Sequence, residues 1–418
     1  MDMHLLPERP CLPANTVTSL ALLVRLTAPV LPRANRKPLN LCLVIDRSGS
    51  MAGEKLRQTV AAAQYVIRRL APRDVLSVVQ FDERVQVVIA PRPVQDAAHL
   101  CALLARLRPG GATNLSGGWL RGAACLRAYA SPEYVNRVLL LTDGRANHGV
   151  TDPPVLIRHA AELTEEGIAT TTLGYGDDFQ EDLLTALADA GRGNAYHVAT
   201  ADQAPGIFAQ ELEGLLAVAA QNVRVTLQPQ VPGCAIDLLT EQAHRRTPRG
   251  LTVPLGDLVS AEERRLVFNL RVPAVAGADR VVLASVGVAY EAVGAGIQPR
   301  QETQDLLLGI VPAEQAAALP AEARVRRALL VLRAARVLRH AIARADAGDV
   351  PGALQHLQGF LGLPEVAQAT APDIRAARRR VQDYLRQLAS EGYTRANRKQ
   401  MAYSSYRWTR GQGTPSAA

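Results

Sequence analysis

Five oxygen-bearing side chains stand out by type and spacing. Asp46, Ser48 and Ser50 alternate directly after an unbroken apolar run, Leu41-Cys42-Leu43-Val44-Ile45. Thr113 lies in the glycine-rich stretch Gly110-Gly111-Ala112-Thr113-Asn114-Leu115. Asp143 follows a second apolar run, Val138-Leu139-Leu140-Leu141-Thr142, and precedes Gly144. Carboxylates and hydroxyls are hard donors, suited to Mg²⁺ or another hard cation. Two carboxylates side by side repel unless a cation lies between them. Hydroxyls add ligands without adding charge, so the site's net charge stays low. An ion with an incomplete shell then takes its last ligand, an oxygen anion such as a carboxylate, from outside. A single acid at a strand end is explained by capping of the next helix. A cap needs one acceptor, and five donors on three loops go beyond it.

Gly49, Met51, Asn114, Gly144 and His148 would form the rim of such a site. Asn114 reads best as the N-cap of the helix that follows it. Met51 carries a soft thioether, a poor match for a hard ion, and reads as loop packing. The remaining histidines show no metal-ligand spacing, and no His-Glu-x-x-His motif is present. Gly174-Tyr175-Gly176-Asp177-Asp178 lacks the later glycine of a phosphate-binding loop, which argues against a nucleotide there. Two other functions compete with ligand capture. A Mg²⁺-dependent hydrolase would use Asp46 and Asp143, but no nucleophile or general base stands beside them, and Asp-x-Ser lacks the second acid of Asp-x-Asp phosphatases. A nucleic-acid-associated scaffold would use the basic, aromatic residues 392–410.

The elements that position these donors follow from periodicity. A continuous apolar run bounded by turn residues fits a strand buried on both faces. Asp46 and Asp143 thus stand at the ends of two central strands, where ligands bind in open α/β sheets. Residues 41–219 alternate strands with helices, which implies a doubly wound, mostly parallel sheet. Residues 220–311 switch to period-two alternation without helices, as in Val223, Val225 and Leu227 or Leu266, Phe268 and Leu270. That pattern predicts a β-sandwich. Residues 1–40 begin loosely, then alternate over 16–27, and this strand most simply joins the sandwich. The α/β domain is therefore expected as an insertion into the β domain. Residues 312–391 read as packed helices, and residues 392–418 as a basic, flexible tail.

The 418 residues, 48% hydrophobic, describe globular protein rather than a disordered chain. Lys and Arg (47) exceed Asp and Glu (39), a net charge of +8 that reads as a basic surface and tail. Five scattered cysteines without a Cys-x-x-Cys pair argue against a disulfide framework. No uncharged apolar run of about 18 residues occurs. The expected location is cytoplasmic.

Asp46-x-Ser48-x-Ser50 with Thr113 and Asp143-Gly144 resembles the metal-ion-dependent adhesion site of von Willebrand factor type A domains. The likeness covers residues 41–219, and the whole chain resembles uncharacterised bacterial proteins that contain this domain. It implies direct coordination by Ser48 and Ser50. Thr113 would coordinate directly in one state and through water in another, and Asp46 and Asp143 directly or through water. The implied metal is Mg²⁺, with Mn²⁺ or Ca²⁺ as alternatives. The implied partner is a protein that offers an acidic side chain, and the implied activity is binding rather than catalysis. It also implies a shift of the domain's last helix, residues 201–219, on ligand capture.

Overall fold

The computed structural model describes residues 1–32, 36–144, 147–176, 179–276, 279–293 and 298–410. The chain opens with strands β1 (Asp2–Pro7), β2 (Cys11–Pro13) and β3 (Thr18–Thr27). An α/β domain then begins at β4 (Leu39–Asp46), followed by α1 (Glu54–Arg69), β5 (Val75–Phe81), β6 (Val85–Pro93), α2 (Ala97–Leu104) and α3 (Leu115–Leu126). It continues through β7 (Val135–Thr142), α4 (Pro153–Glu165), β8 (Ile168–Tyr175), α5 (Glu181–Ala190), β9 (Arg192–Val198) and α6 (Ala204–Leu216).

These strands form one sheet in the order β6-β5-β4-β7-β8-β9, with β6 alone antiparallel to its neighbour. β4 and β7, both buried along their whole length, lie side by side at its centre. Alternate side chains of a strand face opposite ways. Leu41, Leu43 and Ile45 accordingly pack with Ile67, Leu104, Phe208 and Leu212 from α1, α2 and α6. Cys42 and Val44 face Trp119, Leu156 and Leu187 from α3, α4 and α5. The doubly wound α/β fold read from the sequence is thus present. Its parallel strands all end at one edge, and β4 and β7 deliver Asp46 and Asp143 there.

β10 (Val218–Pro229) starts directly after α6 and opens the β domain. β11 (Ala235–Leu238), β12 (Arg245–Thr247), β13 (Gly250–Val259), β14 (Glu263–Val272), β15 (Arg280–Ala292) and β16 (Gln298–Val311) follow. They make two sheets, β1-β3-β14-β11 and β12-β13-β10-β15-β16-β2, whose inner faces share one apolar core. β3 pairs antiparallel with β14, Leu22 opposite Phe268, so strands from both sides of the α/β domain build one sheet. The chain start, read as loose from sequence, is ordered: β1 runs along β3, and β2 runs parallel to β16.

The remainder is helical: α7 (Ala313–Ala318), α8 (Ala323–Asp346), α9 (Val350–Leu361), α10 (Pro364–Ala367), α11 (Pro372–Glu391) and α12 (Arg395–Thr409). Among the described residues no helix is long and apolar enough to cross a membrane. α12 corrects the expectation of a flexible tail over residues 395–409. Its start carries a capping box, with Thr394 Oγ1 accepting from Asn397 N and Asn397 Oδ1 accepting from Thr394 N. Met401 and Trp408 enter the helical core. Tyr403 stacks on His197 with ring centroids 5.6 Å apart, and Tyr406 donates to Asp189 at 2.6 Å. These aromatics are engaged in packing, so they do not present the base-stacking surface that the competing nucleic-acid reading of residues 392–410 requires. Residues 411–418 lie outside the described residues.

Candidate metal centre

Asp46 ends β4 fully buried, and its carboxylate is held on both oxygens. Ser48 N donates to Oδ1 at 2.8 Å and Thr142 Oγ1 donates to Oδ2 at 2.5 Å. Burial pushes its pKa up to about 6. Donation from Thr142 and Ser48 pulls the other way, and the nearby charge of Asp143 adds to the rise. Ser48 opens a short 3-10 turn, Gly49–Met51, that lifts Ser50 to the surface. The two hydroxyl oxygens, Ser48 Oγ and Ser50 Oγ, lie 3.2 Å apart. Ser50 Oγ donates to Asp143 Oδ1 at 2.6 Å. The other oxygen of Asp143 takes the Lys55 ammonium, which reaches over from the first turn of α1.

Thr113 arrives on the second loop. Its amide donates to Asn147 Oδ1 at 3.0 Å, which ties it to the loop after Asp143. A Cβ on Gly144 would lie 2.9 Å from Thr113 Oγ1, so the close approach of these two loops requires glycine there. The glycine-rich loop is itself seated on the loop after β4 and on the β5–β6 hairpin. Gly110 N donates to Arg47 O at 2.7 Å, Gly49 N to Gly111 O at 3.0 Å, and Asn114 N to Asp82 O at 2.9 Å. A Cβ on Gly110 would stand 1.8 Å from Asp82 Oδ2, and that oxygen also carries an ion pair to Arg47 at 2.7 Å.

The structure therefore brings the loops of all five sequence-read donors together, with Asp46, Ser48, Thr113 and Asp143 buried and Ser50 exposed. Two carboxylates share this pocket of oxygens, and the only cation that meets them among the described residues is Lys55. A hard divalent ion fits such a donor set. It does not fit a His/Cys-rich centre, since no group of three or more His, Cys, Asp or Glu is placed to hold a metal among the described residues. Of the rim residues, Gly49 and His148 are exposed and Asn114 caps α3 by accepting from Gly117 N at 3.0 Å. Met51 is fully buried in the core with Leu56 and Tyr175, which agrees with the packing read for it and corrects its place on the rim. The 3-10 turn points Ser50 outward and so turns its neighbour inward.

Sequence reasoning missed Lys55, Asn147 and Thr142. Thr142 immediately precedes Asp143 in the sequence. Lys55 and Asn147 carry no local signal, because their partners come from other loops.

Comparison with known proteins places residues 40–210 in a match to the von Willebrand factor type A domain model. An uncharacterised protein of Synechocystis sp. is 30% identical over 370 residues, 86% of each chain. Inter-alpha-trypsin inhibitor heavy chain H1 of Sus scrofa is 29% identical over 229 residues, 53% of this chain and 25% of that protein. Among solved structures, a von Willebrand factor type A protein from Catenulispora acidiphila superposes with a TM-score of 0.76 at 18% identity, over 97% of this chain and 96% of that one. The ArnB paralog of Sulfolobus acidocaldarius gives 0.65 at 16% identity, over 98% of each. At those identities the structural likeness is one of fold.

Proposed function

The chain belongs to the von Willebrand factor type A domain family, and from that premise we propose that it is a binding protein whose Mg²⁺ site captures an acidic side chain of a partner protein. Domains of this family are commonly metal-dependent protein-interaction modules. One observation carries the reading here: Asp46, Ser48, Ser50, Thr113 and Asp143 stand on three interlocked loops at one sheet edge, with Ser50 at the surface. The ion would rest on the two buried carboxylates and the hydroxyls and expose one face to solvent. A carboxylate arriving from outside completes the shell of a hard ion. The Lys55 ammonium would share or cede Asp143 when the ion binds.

The groups that hydrogen-bond to the donors, among the described residues, are hydroxyls, amides and Lys55. None is a histidine or a thiol, which favours capture over hydrolysis. The test is thermal unfolding with Mg²⁺ and with EDTA. Wild type should melt higher with Mg²⁺, and Asp46→Ala and the gentler Asp46→Asn should lose most of that rise. Equal Mg²⁺ response in a folded variant and wild type would remove Asp46 from the site. A partner retained on the immobilised chain in Mg²⁺ should elute with EDTA.

A further inference from the structure

At the opposite end of the α/β sheet from the metal centre lies a cavity of about 650 Å³, where the α/β domain, the β domain and α12 meet. That volume suits a metabolite-sized molecule. Its acids other than the exposed Glu165 are already engaged. Glu211 accepts from Thr171 Oγ1 at 2.7 Å, Tyr196 Oη at 2.8 Å and Asn194 Nδ2 at 2.9 Å. Asp189 takes Tyr406 and Arg410, and Asp257 takes Arg137. Glu262 and Glu263 hold Arg264 and Arg265, each at 2.7 Å.

Its arginines are not used up. Arg137, with a side chain only 5% exposed, reaches Asp257 at 3.3 Å, and its Nε–H meets no acceptor. Arg410 Nε–H, also buried, meets none either. Arg407 lines the same cavity from the next turn of α12 and, among the described residues, makes no hydrogen bond or ion pair. Burial lowers its pKa, with Tyr196 opposing the drop and Arg380 adding to it. Buried polar groups are ordinarily partnered. Guanidinium N–H groups fit oxyanions, carboxylate and phosphate above all. One acceptor is also open, Gln242 Oε1, which gives an O–H or N–H of the guest somewhere to donate.

We propose that this interdomain cavity binds a small molecule bearing a phosphate or carboxylate group, held by Arg137, Arg407 and Arg410. Arg137 belongs to β7, Arg407 to α12, and Arg410 is the residue that caps the C-terminus of that helix. A guest would therefore cross-link the C-terminal helix to the α/β domain.

The experiment uses the full chain stripped of metal and then dialysed free of chelator, so that neither the metal centre nor a competing carboxylate takes part. Thermal unfolding and calorimetric titration are run with millimolar inorganic phosphate, with citrate, and with chloride at matched ionic strength. Phosphate or citrate should raise the melting temperature above the chloride control. A response to phosphate alone identifies a phosphoryl site, and one to citrate alone a carboxylate site. Arg407→Met should fold with an unliganded melting temperature at or above that of wild type, because the guanidinium has no partner to lose. It should bind the active probe about tenfold more weakly or worse, the loss of a charge-assisted hydrogen bond. Arg407→Gln, which keeps a polar end, serves as the second variant. Three results overturn the proposal: no response to either probe, undiminished binding by both variants, or a marked fall in the unliganded stability of both, which would make Arg407 a structural contact.

Discussion

Asp46 sets the pH behaviour of the proposed metal centre. Its pKa of about 6 in the metal-free fold exceeds the ordinary 3.8. Between those values the native state keeps a proton that the unfolded chain has released. Metal-free stability therefore falls as pH rises through this window, by about 3 kcal/mol for Asp46 alone. A divalent ion needs the carboxylate, so Mg²⁺ affinity moves the opposite way and weakens as pH drops below about 6. Urea midpoints in EDTA from pH 4 to 7 should decline in wild type more steeply than in Asp46→Asn. A midpoint difference between the two that does not vary with pH would mean that Asp46 is not the titrating group. The placement of Asp46 and Asp143 at one sheet edge was legible in sequence, because an acid at the end of an apolar run marks a strand end. Lys55 was not. A lysine in the first turn of a helix looks like ordinary surface, and its partner Asp143 lies 88 residues away.

At the scale of elements, the glycine-rich loop is a fitted part rather than a flexible link. Any Cβ at Gly110 enters the space of Asp82 Oδ2, which is fixed by Arg47 and by its place at the hairpin turn. Gly110→Ala must displace that carboxylate or lift the loop that carries Thr113. Overpacking of this kind costs about 1–3 kcal/mol. The variant should melt lower than wild type and gain less from Mg²⁺. Gly206→Ala in α6 is the control, since nothing lies within 4 Å of a Cβ there. If both variants keep the wild-type Mg²⁺ response, the loop does not position Thr113. The central strands β4 and β7 could be read from sequence because both of their faces are apolar. β16 could not. Its first eight residues are exposed, and pairing with β15 alone defines the strand over that length. β1 was lost for the same reason, as its order comes from an edge of β3 that sequence does not display.

For the whole molecule, the question is what ties the C-terminal helices to the α/β domain, and α12 supplies the answer. Lys399, 2% exposed, donates to Phe179 O at 2.8 Å, pairs with Glu181 at 3.1 Å and lies over the Phe179 ring. Arg398 bridges Glu181 of α5 to Asp346 of α8. Composition made this segment look like a solvated tail, because the acids that answer its charges belong to distant elements. The two readings make different predictions for a chain ending at residue 394. A flexible tail contributes little to stability, so its loss would leave the melting temperature and amide exchange unchanged. A docked helix takes with it Met401 and Trp408 from the helical core, the hydrogen-bond partners of Tyr384, and the cations facing Glu181 and Asp189. Removing one member of a buried ion pair leaves the other uncompensated, a cost of several kcal/mol in well-studied cases. The shortened chain should therefore melt lower and exchange faster in two separated places, α8 with α11 on one side and α5 with β9 on the other. Lys399→Met separates charge from packing: it keeps the apolar stem but removes the ammonium, and should loosen α5 while leaving α8 protected. Unchanged exchange in α5 and β9 after truncation would show that the helix does not hold the two domains together.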